Sequence, residues 1–238
     1  IVTNAEIKLV KSLKDKKFRD ELGLFVVEGE KMVAEVLKSD FRVEKVFRKE
    51  EVGAAVMERL SALSSPSPCL ALVHRKPALS PSVREGLCLA LDSVRDPGNV
   101  GTIIRVADWF GIETVICTKD CAEPYGPKVV QATMGALGRV KVMETDNLSA
   151  LLKDAAERGV SIYGTLLEGN DITQERLSDN GVIVMGSEGN GLSKEVRECV
   201  SQKLRIENWP KGRETSESLN VAVATAIVCA EFRRRTHK

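Results

Sequence analysis

Apolar and polar positions fall into two blocks along the chain. In the first, residues 5–13 have helical spacing, and Leu24-Phe25-Val26-Val27 is a short apolar run of strand type. Met32, Val33, Val36 and Leu37 recur at helical intervals within 29–38. A strand near 42–48, a helix near 51–62 and a strand at 69–73 follow, with a Ser/Pro turn at 64–68. In the second block, strands and helices alternate. Strands are predicted at 87–91, 114–117, 140–143, 161–165, 182–185 and 203–206. Helices are predicted near 99–110, 127–134, 147–157, 173–178, 193–199 and 218–235. Such alternation predicts an α/β fold, a mainly parallel sheet with helices on both faces, preceded by a small α/β domain. Between the blocks, Pro77, Ser80, Pro81 and Ser82 make the chain polar and stiff. The expected division is a first domain over 1–76, a linker over 77–86 and a second domain over 87–238.

Composition narrows the class without naming a function. The chain has 238 residues, 43% hydrophobic and 29% charged, which suits a globular protein and excludes wholesale disorder. Net charge is only +1, so no global basic field advertises nucleic acid. Lys8, Lys11, Lys14, Lys16, Lys17 and Arg19 cluster near the start, and Arg233, Arg234, Arg235 and Lys238 near the end. Both runs read equally as solvated termini or as phosphate contacts. Six scattered cysteines suit buried small hydrophobes in a reducing compartment; only Cys117 and Cys121 are close, and nothing completes a zinc site. No metal is expected. No apolar run approaches the ~20 residues of a membrane span and no signal-peptide pattern is present, so the expectation is a cytoplasmic protein without membrane contact. His74 and His237 are the only histidines, which disfavours a histidine-based centre.

Three segments of the second block carry candidate chemistry. Asn99-Val-Gly-Thr-Ile-Ile-Arg105-Val-Ala107 follows the turn Asp96-Pro97-Gly98. Asn99 is placed to cap a helix. Arg105 has apolar helical neighbours, so it reads as a snorkelling or ion-paired arginine, or as a functional cation. Val184-Met-Gly186-Ser-Glu188-Gly189-Asn-Gly191-Leu-Ser193 puts glycines directly after a strand. The spacing is neither the dinucleotide fingerprint nor a Walker A loop, and Glu188 disfavours a bare phosphate. The loop suits a neutral or cationic ligand, or is simply a tight turn. Ser218-Leu219-Asn220-Val-Ala-Val-Ala224 opens the last helix, with Ser216 or Ser218 as its cap. Just before it, Trp209-Pro-Lys211-Gly-Arg213 could border an RNA groove or be a solvated loop.

In this order and at these separations, the three segments resemble the signature motifs of the SpoU/TrmH family, knotted SPOUT-class RNA ribose 2′-O-methyltransferases. The resemblance covers about residues 87–236. It implies a deep trefoil knot where the chain from about 180 to 230 threads through itself, and S-adenosylmethionine as cofactor. It assigns the cofactor pocket to Thr165, Leu166, Gly186, Glu188, Gly189, Ile206, Ser218 and Leu219. It assigns Arg105 to the target ribose, with Asn99, Glu188, Ser218 and Asn220 as positioning groups in the catalytic set. Arginine is almost never deprotonated, so Arg105 is better read as a cation stabilising the forming alkoxide than as a base. The resemblance further implies a homodimer through the knot region and an RNA substrate. The first block looks like the small ribosomal-protein-like domain of rRNA-directed members, which favours large-subunit ribosomal RNA. The alternatives are a tRNA 2′-O-methyltransferase, a non-catalytic RNA-binding or ribosome-assembly factor, and an ordinary doubly wound nucleotide enzyme. One departure stands out: the segment between Ile206 and Ser218 is longer than the family commonly has.

Overall fold

In the computed structural model, which describes residues 1–236, the two blocks form two sheets. The first block opens with α1 (Asn4–Ser12), started by a capping box in which Thr3 and Glu6 bond reciprocally. There follow α2 (Lys16–Leu22), β1 (Leu24–Glu28), α3 (Glu30–Lys38), β2 (Val43–Arg48), α4 (Lys49–Val52), α5 (Ala54–Leu60) and β3 (Cys69–His74). The strands pair antiparallel in the order β1-β3-β2. The helix expected at 51–62 is two short helices, because Gly53 between them adopts φ +86°. Helix α2 was not predicted. Its exposed residues are mostly polar, and its one buried side chain is Arg19, which periodicity does not flag.

The second block is β4 (Leu87–Asp92), α6 (Pro97–Trp109), β5 (Thr114–Thr118), α7 (Pro127–Thr133), a 3-10 turn (Ala136–Gly138), β6 (Lys141–Thr145), α8 (Leu148–Glu157), β7 (Ser161–Asp171), β8 (Gly181–Gly186), α9 (Lys194–Arg197), β9 (Gln202–Arg205) and α10 (Val221–Thr236). Every strand pair is parallel, in the order β6-β5-β4-β8-β7-β9. Alternate residues of the central strands face opposite cores. Leu89, Leu91, Ile183 and Met185 pack toward α6 and α10 with Ile103, Val228 and Phe232. Cys88, Ala90, Val182 and Val184 pack toward α8 and α9 with Leu152 and Val196.

Several expectations are corrected. Residues 173–178 form a turn and irregular chain, not a helix; α9 is shorter at both ends than expected, and α10 starts at Val221 and not near 218. Strand β7 runs well beyond residue 165 because Leu204 of β9 pairs with both Thr165 and Asn170. Gly169 permits this, since a Cβ there would lie 2.5 Å from the Leu204 backbone. All six cysteines are free thiols, five of them buried and Cys199 half-buried. Among the described residues no helix is long and apolar enough to cross a membrane. His237 and Lys238 lie outside the described residues.

The first sheet docks on α7 of the second block. Val130 and Leu137 join the core of Phe25, Val27, Met32, Val33 and Val73. Phe25 meets Tyr125 at 4.8 Å between ring centroids, and the Arg75 guanidinium lies 4.7 Å from the same ring. Arg19 is only 4% exposed. It donates to Glu123 at 2.8 Å and to the carbonyls of Leu13 and Lys14. Arg139 ties Asp108 to Glu35 across the same contact.

Candidate active site

The site forms at the carboxyl ends of the parallel strands, where open α/β sheets place ligands. The last residues of β4 and β8, Asp92 and Gly186, are register partners. After β8 the chain turns at once: Ser187 and Gly191 exchange backbone hydrogen bonds of 3.1 and 2.9 Å. A Cβ on Gly186 would sit 2.3 Å from the Gly191 carbonyl carbon, so the turn closes only over glycine. Asp92, 3% exposed, accepts from the Ser193 amide at 2.7 Å and fastens the far end of the loop to β4.

This loop pushes Glu188 toward the starts of α6 and α10. Its Oε1 accepts from Asn99 Nδ2 at 3.1 Å, Asn220 Nδ2 at 2.9 Å and the Val221 amide at 3.1 Å. Asn220 Nδ2 also donates to Asn99 Oδ1 at 2.9 Å. One carboxylate oxygen thus ties together all three segments singled out in the sequence. The N-termini of two helices favour its negative charge. Glu188 Oε2 makes no hydrogen bond among the described residues.

Two capping expectations change, and both changes matter for the site. Asn99 does not cap α6. Asp96 does, accepting from the Asn99 amide at 2.8 Å, and this frees the Asn99 side chain to face Glu188. Neither Ser216 nor Ser218 caps α10. Asn220 does, with Oδ1 accepting from the amides of Ala222 and Val223 at 3.0 and 3.1 Å. Ser218 and Leu219 are exposed immediately before the cap, and Ser218 makes no side-chain hydrogen bond among the described residues.

Arg105 lies on an exposed stripe of α6 with Thr102 and Trp109, not on the edge of the buried face. It makes no hydrogen bond or ion pair among the described residues. Helix α6 carries it on the same element as Asn99, and no direct bond joins it to the Glu188 network. Thr165 and Leu166 lie on β7, between β8 and β9, with the Thr165 hydroxyl 3.5 Å from Met185 Sδ. Ile206 follows β9 and is half-buried, and Gly189 is exposed. The strand order therefore brings Thr165, Leu166, Gly186 and Ile206 along one edge.

The donor set along this edge fits the cofactor that the resemblance implies. Residues 187–191 supply backbone polar groups and no cation, and nothing lies within 4 Å of a Cβ built on Gly189. Half-buried Ile206 and exposed Leu219 supply apolar surface, while Leu166 is buried in the core against α8 and α9 and offers the site its backbone. Sequence reasoning missed Asp92 and Asp96. The available signal was a carboxylate directly ending an apolar strand and another directly before Pro-Gly. Beyond β4, Ser93 is held at φ +60° by Thr118 and Asp120. Hydrogen bonds from Thr118 and Ser93 keep the Asp120 carboxyl below its ordinary range. A hydrogen bond from Cys117 lowers the Cys121 thiol to about 7 against the opposing effect of burial.

Comparison with known proteins gives a consistent picture. A model of the SpoU rRNA Methylase family matches residues 86–230, and one of the MRM3-like substrate binding domain matches residues 4–71. The 23S rRNA (guanosine(2553)-2′-O)-methyltransferase RlmP of Bacillus subtilis is 28% identical over 246 residues, spanning 97% of this chain and 96% of its own length. An RNA methyltransferase structure assigned to the TrmH family, from Porphyromonas gingivalis, superposes with a TM-score of 0.89 at 37% identity over 99% of both chains. An AdoMet-bound rRNA methyltransferase from Sinorhizobium meliloti superposes with a TM-score of 0.82 at 28% identity, over 99% of this chain and 96% of that one.

Proposed function

The chain belongs to the SpoU rRNA Methylase family, and from that premise we propose that it methylates a ribose 2′-hydroxyl of large-subunit ribosomal RNA using S-adenosylmethionine. The observation that carries this reading is the single hydrogen-bonded cluster of Asn99, Glu188 and Asn220, one residue from each of the three signature segments.

Gly186, Glu188 and Gly189 through their backbone, with Thr165, Leu166, Ile206, Ser218 and Leu219, would hold S-adenosylmethionine, which would supply a methyl group already activated by its sulfonium. The protein's own task is alignment and charge control. Arg105, exposed and unpaired among the described residues, is available to the ribose 2′-oxygen and stabilises the negative charge that grows there as its proton leaves. It stays protonated throughout, so a phosphate of the RNA or water takes the proton. Glu188 is an organiser: three donors on one oxygen fix the starts of α6 and α10 relative to each other. Asn99 and Asn220 hold that carboxylate, and Ser218, exposed two residues before Asn220, is free to meet a ligand. No metal enters this chemistry.

In this reading residues 1–76 bind the substrate, 77–86 link, and 87–238 form the methyltransferase domain, with the chain over about 180–230 as the knotted segment. Similarity to a 23S rRNA methyltransferase over 97% of the chain, first block included, supports ribosomal over transfer RNA. Exposed Trp109, Val223 and Ile227 on the packed helices α6 and α10 support a homodimer through this face. The expected place of work is the cytoplasm, where ribosomes and their RNA are available.

The test is transfer of labelled methyl from S-adenosylmethionine to total RNA lacking the modification. Label in an alkali-resistant dinucleotide of large-subunit rRNA is the expected result. Label confined to tRNA would overturn the substrate assignment, and no transfer to any RNA would overturn the activity.

A further inference from the structure

The segment between β9 and α10 belongs to neither wall of the site, yet both its ends do. Ile206 lies on the cofactor edge at one end, and Asn220 bonds Glu188 at the other. Between them Trp209 is 85% exposed. Three residues from Ile206, it lies within about 11 Å of that Cα by chain length alone. It enters no aromatic or cation–π pair among the described residues.

Single exposed hydrophobic side chains are common, so exposure alone decides nothing. Three further observations set Trp209 apart. First, its turn is pinned. Asn208 Nδ2 donates to the Arg213 carbonyl, the Arg213 amide donates to the Pro210 carbonyl at 3.0 Å, and Gly212 takes φ +82° to close the loop. Second, the base of the turn is anchored, because Glu207 pairs with Arg205 and, at 3.8 Å, with Lys211. Third, the same turn carries the cations Lys211 and Arg213, both exposed. The other tryptophan provides the contrast. Trp109 is 83% exposed but ends a regular helix, α6, that packs against α10, and no basic turn surrounds it.

RNA is recognised with sequence or site preference mostly at loops, bulges and ends, whose unpaired bases are splayed out and stacked on aromatic side chains. An indole held on a rigid basic turn is such a side chain, and stacking on it is indifferent to which base arrives. We propose that Trp209 is the stacking platform for an unpaired base of the RNA substrate next to the methylated ribose, with Lys211 and Arg213 holding the adjoining phosphates. This rests on the reading of the chain as an RNA ribose methyltransferase. It assigns a recognition role to the segment that is longer than the family commonly has.

The experiment compares wild type with Trp209→Ala, Trp209→Phe and the Lys211→Ala/Arg213→Ala double variant, using in-vitro-transcribed large-subunit rRNA. Trp209→Ala should raise KM for RNA about 10- to 100-fold, and Trp209→Phe should restore most of the loss. The calorimetric affinity for S-adenosylmethionine should not change. The double variant should flatten the salt dependence of RNA binding. Most of the quenching of tryptophan fluorescence by the RNA should be lost in Trp209→Phe and kept in Trp109→Phe. Equal KM and equal quenching in wild type and Trp209→Phe and Trp209→Ala would overturn the proposal while leaving the activity standing. A wild type that transfers no methyl to any RNA sinks the activity instead. The quenching titration then still decides for or against stacking on Trp209.

Discussion

Two regions of this molecule join segments far apart in sequence, and they treat charge in opposite ways. At the contact between the two sheets, charged side chains are matched, and the central one, Arg19, is buried. Arg19 is saturated by Glu123 and two carbonyls, Arg75 lies over Tyr125, and Arg139 bridges Asp108 and Glu35. At the strand ends, Glu188 is matched on one oxygen only, and Arg105, Ser218 and Trp209 are exposed without side-chain partners among the described residues. A buried charge without a partner is costly, so the first region has little freedom to bind anything else. Exposed polar groups carry no such penalty and keep their bonding capacity for a ligand. The first region therefore serves orientation and stability, and the second serves chemistry.

The largest expected effect breaks that division at the site. Arg105→Ala should lower kcat by about a hundred- to a thousandfold, up to ~4 kcal/mol of transition-state stabilisation. Its free energy of unfolding in urea should stay within about 0.5 kcal/mol of wild type, because an exposed arginine without partners holds nothing in place. Full activity on the correct RNA would remove Arg105 from the mechanism. A marked loss of stability would erase the contrast with the domain contact.

Next comes Glu123→Ala, which strips the nearly buried Arg19 of its carboxylate. Loss of about 3 kcal/mol in denaturant unfolding is expected. Calorimetric S-adenosylmethionine binding by the folded protein should be unchanged, since Glu123 touches no residue of the site. An unshifted midpoint would mean that the ion pair does not hold the two sheets together.

The smallest effect is in acid. Lys16, then Arg75, hold the Asp20 carboxyl below its ordinary range, and Lys45 and Thr3 lower Glu6 to about 2. Both folded-state values are depressed. Their contribution is therefore complete above the ordinary carboxylate range and is lost as pH falls through the depressed values. Stability should decline between about pH 4.5 and pH 2, and Glu6→Gln should flatten part of that decline. Both groups are largely solvated, so the slope should be shallow. A slope unaffected by Glu6→Gln would exclude its pair with Lys45 from the acid transition.

The sequence by itself determined the strands of the second block and all but one of its helices, because two-sided burial of β4 and β8 leaves unbroken apolar runs such as Leu87–Leu91. It also marked Asn99, Arg105, Glu188 and Asn220 as unusual, since each interrupts or borders an apolar element. It could not assign their partners. Asn99 reads locally as one cap and Ser216 or Ser218 as the other, yet Asp96, three residues before Asn99, caps α6, and Asn220 caps α10. Nor could it foresee α2, whose one buried side chain is an arginine satisfied by Glu123, 104 residues away. Periodicity reports which face of an element avoids water. Which polar groups meet depends on strand order and on the close approaches that Gly169 and Gly186 allow, and only the tertiary structure fixes those.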